Sequence, residues 1–258
     1  MGILNVTPDS FADGGRHNEF EAAVARGLAM IAEGVDIIDI GGESTRPGAE
    51  RVSEEEEIAR VIPVITELAK HGTVISIDTM RASTAEAAIK AGASIINDVS
   101  GGLADPDMLQ TVARLQVPYI AMHWRGQSKD MNSKAIYADV VSDVISELNE
   151  RIDAALDAGI QKDKLIIDPG IGFAKDAEHN WAIIDAIDQF VALGYPVLVG
   201  GSRKRFLGGE TPDEREQATI ELTKRLGTTG VWAVRVHSVK PHKAVSYTHL
   251  RAHETPEH

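Results

Sequence analysis

The sequence predicts a single-domain α/β protein, specifically a (β/α)8 barrel. Three observations carry that reading: eight short apolar runs recur along 258 residues, segments of helical period separate them, and nearly every run breaks at a polar or charged residue. Strands alternating with helices require a parallel sheet, and eight such units suit a closed barrel of about 250 residues. The runs are 2–5 (GILN), 37–40 (IIDI), 75–78 (ISID), 95–98 (IIND), 119–123 (YIAMH), 165–168 (LIID), 197–200 (VLVG) and 234–237 (VRVH). In a barrel their carboxyl ends converge on one mouth, which places Asn5, Asp78, Asn97, Asp168, Lys204, Arg235 and His237 in a single site.

The first helix is expected over residues 19–33, with Phe20, Val24, Leu28 and Ile31 on one face and Gly34 as its stop. Ser53 and Glu56 form a capping-box pair opening the second, whose face is Ile58, Val61, Ile65 and Leu68, with Pro63 as an expected kink and Gly72 as terminator. Later helices fit residues 83–90, 106–115, 137–158, 177–193 and 212–226, four of the five followed within two residues by glycine. The two ends depart from the pattern. A strand beginning at residue 2 leaves no preceding segment to close the base of the barrel, so some stability is expected to be missing. After Val239 the sequence carries few periodic apolar residues, so a convincing final helix is not expected. The barrel is therefore drawn over residues 1–245 and residues 246–258 are read as a non-native or disordered tail. His249, His253 and His258 in that tail are given no metal-binding role, since ligands need a rigid surrounding shell.

Composition narrows the function. A hydrophobic fraction of 43% with 25% charged residues is that of a folded globular chain. The net charge of −13 opposes binding to nucleic acid or anionic membrane through the bulk surface, so an anionic ligand must be held by a local cluster of cations. Zero cysteines exclude disulfides, thiolate metal sites and cysteine nucleophiles. Met1 leads straight into the first run, and no segment approaches the roughly 18 apolar residues of a membrane span, so the reading is a cytoplasmic protein. Two glycine-rich loops follow the first two runs, at residues 6–15 and 41–48. They read as lids able to exclude water, with Thr45 and Arg46 available to an anion and Phe11 to an aromatic ring.

The segments "MGILNVTPDSF", "DIGGESTRPGA", "SIDT", "INDVSGG", "IDPGIGF", "GSRK" and "VRVH" together resemble the ordered motif set of the dihydropteroate synthases, across about residues 1–240. The resemblance implies a (β/α)8 barrel that condenses 6-hydroxymethyl-7,8-dihydropterin pyrophosphate with p-aminobenzoate, releasing pyrophosphate with Mg2+ bound. It implies a role in folate biosynthesis and sulfonamides as inhibitors. For the pterin it points to Asp78, Asn97, Met122, Asp168, Gly200 and Lys204; for p-aminobenzoate to Phe11, Thr45, Arg46, Pro47, Phe173, Ser202 and Lys204. For the pyrophosphate it points to Asn5, Arg46, Arg235 and His237, with Asn5 toward the metal, and for catalysis to Asp78, Lys204, Arg235 and His237. These types suit the chemistry: a carboxylate accepts from the amino-pyrimidinone edge, an amide both donates and accepts, and cations meet the departing charge.

Two departures from the family pattern stand out, Arg205 after the lysine of "SRK" and Ser238 after the histidine of "RVH", where an acid is common and a bond orienting His237 is expected to weaken. The family also implies a homodimer formed through C-terminal helices. Two other readings share the pterin residues: a methyltetrahydrofolate methyltransferase-type barrel, which has no need of Arg46, Arg235 and His237, and a pterin-binding barrel without turnover.

Overall fold

A computed structural model describes residues 1–7, 15–43, 52–126 and 134–252, with backbone alone at 15–17 and 247–252. Its elements run β1 (Gly2–Asn5), α1 (Gly15–Ala32), β2 (Ile37–Gly41), α2 (Glu54–Ala69), β3 (Val74–Asp78), α3 (Ala82–Ala91), β4 (Ile95–Asp98), α4 (Met108–Leu115), β5 (Tyr119–Met122), α5 (Val140–Asp157), β6 (Leu165–Asp168), α6 (Ala177–Asp185), α7 (Ile187–Val191), β7 (Leu198–Val199), α8 (Glu214–Leu226), β8 (Ala233–Val234) and α9 (Val239–Ala252). Strands β1 to β6 pair in sequence order, all parallel, and β7 pairs with β8. Single bridges between Ile167 and Val197 and between Gly2 and Val236 join the two sheets into a ring. At the seam Ile3 N–H donates to the Val236 carbonyl and Val236 N–H to that of Met1, both at 2.9 Å.

Strand alternation divides the apolar residues into two cores. Leu4, Ile38, Ile40, Ile75, Ile77, Ile96, Ala121, Ile167 and Val199 pack outward against the helices. Residues of the opposite parity, Met1, Ile37, Ile95, Ile120, Ile166 and Leu198, form a separate cluster that plugs the barrel interior. A filled interior is what the inward layers of such a barrel require. Two residues beyond the plug on β2, β4 and β6, the same inward parity delivers Asp39, Asn97 and Asp168.

The helices begin and end where their caps dictate. Ser53 Oγ accepts from Glu56 N–H at 3.2 Å, and α2 continues through Pro63. Asp139 caps α5 by accepting from Ser142 N–H at 2.8 Å, so that helix starts later than the expected residue 137. The expected helix over 177–193 divides at Ala186, whose φ of −106° and ψ of 21° interrupt it.

The final helix, not expected from its apolar spacing, forms as α9. Pro241 lies in its first turn, where a missing N–H costs nothing. Val239 is buried, and so is His242, whose Nδ1 lies 2.7 Å from Thr223 Oγ1 on α8. A polar pair thus docks a helix whose apolar periodicity is weak. Among the described residues no helix is long and apolar enough to cross a membrane.

Candidate active site

The carboxyl ends of the strands build the mouth. Paired register positions set Asn5, Gly41, Asp78 and Asn97 side by side on β1 to β4, and Met122 beside Asp168 on β5 and β6. Arg235 and His237 follow on the strand-end segment after β8, separated by the buried Val236, so both face inward. The guanidinium of Arg235 bridges two acids: Nε donates to Asp39 Oδ2 and Nη2 to Asp78 Oδ2, each at 2.6 Å. Asp39 Oδ2 also accepts from Asn97 Nδ2 at 3.0 Å. Burial pushes the Asp78 carboxyl up to about 7, against the pull of Arg235. Sequence reasoning missed Asp39, and the signal available for it was an acid interrupting the apolar run 37–40.

Across the mouth, Asp168 is buried and accepts from Gly170 N–H at 2.7 Å. Its desolvation raises the carboxyl above the usual range. The Lys204 ammonium donates to the Ile171 carbonyl and lies 4.4 Å from the centre of the half-buried Phe173 ring. Burial lowers Lys204 to about 8, with Asp168 acting in the opposite sense. Gly172 is required under this lysine: its φ is +77°, and a Cβ there would come within 2.5 Å of Lys204 Cδ. A Cβ on Gly200 would stand 3.9 Å from both Asp168 Oδ2 and Arg235 Cβ, so that glycine adjoins both groups.

Ser202 joins the segments after β7 and β8. Its Oγ accepts from His237 N–H at 3.3 Å and lies 3.0 Å from His237 Nδ1. Giving its hydroxyl proton to Nδ1 places the ring proton on Nε2. Ser238 does not take the part expected of an acid at that position. Its Oγ accepts from Arg203 Nη2 at 2.7 Å, and it is Ser202 that holds the imidazole. Arg203 adopts a left-handed backbone, φ 57°, rare for a residue with a side chain. It is held there by Thr219 Oγ1 on its N–H, Arg215 Nε on its carbonyl and Glu216 Oε2 on its Nε. The strained turn thereby aims Ser202 and Lys204. Arg205 is exposed.

Behind the segment after β6 lies a buried relay also missed from sequence. Lys175 Nζ donates to the carbonyls of Gly170 and Phe173, each at 3.1 Å, and sits 2.9 Å from His123 Nδ1. His123 Nε2 in turn meets Glu147 Oε2 at 2.9 Å. A lysine donating to Nδ1 fixes the proton on Nε2. Burial, aided by Lys175, lowers the imidazole to about 4, so it is neutral, and burial lowers Lys175 itself to about 7. The result clamps the loop that presents Phe173. Phe11, Thr45, Arg46 and Pro47 lie outside the described residues.

The arrangement offers buried acceptors, an ammonium and an inward arginine and histidine around one opening, groups able to read a polar heterocycle and hold an anion. Residues 1–237 match the model of the pterin binding enzyme family. The chain is 48% identical over 250 residues to the dihydropteroate synthase of Mycobacterium leprae, covering 93% of this chain and 88% of that one. The chain belongs to the dihydropteroate synthase family. With the Bacillus subtilis dihydropteroate synthase it shares 49% identity over 245 residues, 93% of this chain and 83% of the relative. The Xanthomonas albilineans dihydropteroate synthase with 4-aminobenzoic acid superposes with a TM-score of 0.93 at 44% identity, over 99% of this chain and 93% of that structure.

The family's reaction is therefore this chain's: a transferase condensing 6-hydroxymethyl-7,8-dihydropterin pyrophosphate with p-aminobenzoate to give 7,8-dihydropteroate and pyrophosphate in folate biosynthesis. The methyltransferase-type reading gives way to it, and Arg235 and His237, which that reading does not need, both stand at the mouth.

Proposed function

We propose that the condensation proceeds with the pterin seated on Asp78, Asn97 and Asp168, flanked by Met122, Gly200 and Lys204, and with p-aminobenzoate between Phe173, Ser202, Lys204 and the lid residues Phe11, Thr45, Arg46 and Pro47. The observation that carries this seating is the set of buried acceptors around one interior, Asp78 and Asn97 paired at the ends of β3 and β4 and Asp168 at the end of β6. A pterin edge presents adjacent N–H donors, which buried carboxylates satisfy. The Lys204 ammonium donates to the acceptor side of the ring.

Asn5, Arg46, Arg235 and His237 take the pyrophosphate. As it departs, the methylene carbon bonded to it gains positive character shared with the ring, and the p-aminobenzoate amine attacks that carbon and then loses a proton. Asp78 offsets the developing positive charge, Arg235 and His237 offset the negative charge on the leaving group, and closure of the lids excludes water. No covalent nucleophile is required.

The donor set is compatible with Mg2+. Asn5 offers a hard amide oxygen, and among the described residues no three His, Cys, Asp or Glu gather as a protein-built cage. That sparseness suits a cation bound chiefly through phosphate oxygens and water. When bound, Mg2+ would supply further neutralisation of the departing pyrophosphate.

We further propose that the chain is a cytoplasmic homodimer, that residues 1–245 form the pterin-binding barrel with 246–258 a non-native or disordered tail, and that sulfonamides compete with p-aminobenzoate. A Yersinia pestis dihydropteroate synthase described as a sulfonamide drug complex superposes with a TM-score of 0.92 at 37% identity, which supports the last point. The test is dihydropteroate formation by the purified chain with Mg2+ and with EDTA, alongside calorimetric binding of 6-hydroxymethylpterin. Product with Mg2+ only, with bare-pterin binding retained under EDTA, is expected. Undiminished turnover in EDTA would remove Mg2+ from the proposal.

A further inference from the structure

We infer that Asp39 is a positioning residue of this active site, which from beneath the substrate fixes the facing of the Asn97 amide and the seat of the Arg235 guanidinium. Asp39 lies mid-strand on β2 with no exposed surface, two residues after the plug residue Ile37 and two before Gly41 at the mouth. Its full burial leaves it no surface to present to a substrate at the mouth. One of its oxygens, Oδ2, takes both Asn97 Nδ2 and Arg235 Nε, while its Oδ1 and the Ser76 hydroxyl at the paired register position are the two buried side-chain atoms without a hydrogen-bond partner among the described residues.

Toward both neighbours Asp39 presents an acceptor oxygen, the Oδ2 already shared with Arg235 Nε. Facing Asp39, the amide of Asn97 must therefore turn its NH2 downward, which leaves Oδ1 directed away from Asp39 and toward the mouth, as an acceptor for the N–H donors of a pterin edge. Arg235 is fixed by the same oxygen: with Nε on Asp39 and Nη2 on Asp78, the plane of the guanidinium is set, and Nη1 lies outside both bonds. An asparagine at position 39 could face Asn97 with either its donor or its acceptor, so the amide at 97 would no longer have one preferred direction. It would also give up the charge that holds Arg235.

This inference rests on the proposed seating of the pterin on Asn97, and the test separates the two. The dissociation constant of 6-hydroxymethylpterin is measured by calorimetry for the unaltered chain, Asp39→Asn, Asn97→Ala and the double variant, with steady-state KM and kcat for both substrates. Loss of a hydrogen bond to a charged group predicts that Asp39→Asn weakens pterin binding by about tenfold or more. The KM for p-aminobenzoate should change less than about twofold, a split that general loosening of the barrel would not produce. Because Asp39 acts through Asn97, the double variant should bind little worse than the weaker single variant.

Multiplying effects in the double variant, or equal loss for p-aminobenzoate, would overturn the role of Asp39. Unchanged pterin affinity in Asn97→Ala would instead remove the seating on which it rests. Should Asp39→Asn fail to fold, a neutron structure of the unaltered chain with 6-hydroxymethylpterin decides: Asn97 deuterons toward Asp39 support the assignment, and Oδ1 toward Asp39 overturns it.

Discussion

Replacing Arg235 with methionine should destabilise the fold in a pH-dependent way. The guanidinium is the shared partner of Asp39 and Asp78, both buried acids, so its removal leaves two acids in the barrel interior without their cation. Breaking a buried pair from one side costs about 3–5 kcal/mol, which at about 2–4 °C per kcal/mol corresponds to a fall of roughly 6–20 °C in Tm. The cost should shrink in acid. Asp78 is raised by burial from 3.8 to about 7 even with Arg235 pulling it down, so without the arginine it rises further. A carboxyl whose folded-state value is raised adds stability that is complete below the unfolded value near 4 and lost as pH climbs through the folded value, here 7 or above. Above pH 7 the unaltered chain has released the Asp78 proton while folded Arg235→Met still holds it, so the stability lost on substitution is larger at pH 8 than at pH 5.5. Urea unfolding of both chains at the two pH values measures this. An equal loss at pH 5.5 and 8, or a loss under about 1 kcal/mol at pH 8, would show that these acids are not desolvated as described.

The remaining expectations concern the segments around the mouth. In the free enzyme Lys204 loses its proton near pH 8, so kcat/KM for the pterin substrate should decline through that range, and a profile level to pH 9.5 would separate the ammonium from pterin recognition. Lys204→Ala should abolish most turnover with the fold intact, as checked by circular dichroism. Lys175→Met takes the donor from the carbonyls of Gly170 and Phe173 and should raise KM for p-aminobenzoate several-fold with less change for the pterin, while identical kinetics would mean that the clamp does not control Phe173. At Arg203, φ 57° makes glycine the less strained replacement, so Arg203→Gly should be more stable than Arg203→Ala by about 1 kcal/mol in urea unfolding, and the reverse order would refute the strain.

Much of the fold was legible because the apolar runs alternate with amphipathic segments, and local patterning of this kind survives folding. The inward direction of Arg235 and His237 could be read from parity with Val234 and Val236. Asp39 could not: in a run of isoleucines, a single acid reads as a strand irregularity until Asn97 and Arg235, far away in sequence, arrive to bond it. The same holds for Lys175 and His123, 52 positions apart, and for the turn at Arg203, whose left-handed backbone is imposed by α8 and not by local sequence. The final helix escaped notice because its dock is the His242 and Thr223 pair, which apolar periodicity does not register.

The division into an outward core and an inner plug also governs how the chain can change length. Each strand has two faces, so one residue gained or lost within β3 turns Asp78 toward the helices and an isoleucine toward the mouth. Within a strand an insertion or deletion therefore strikes packing and chemistry together. In the loops beyond the strand ends the frame resets at the next strand, and length can drift there without either loss. Natural variation in this chain should accordingly take the form of substitutions inside the barrel wall and of changes in length above it, so that evolution edits its substrate loops in whole segments while leaving the parity of every strand untouched.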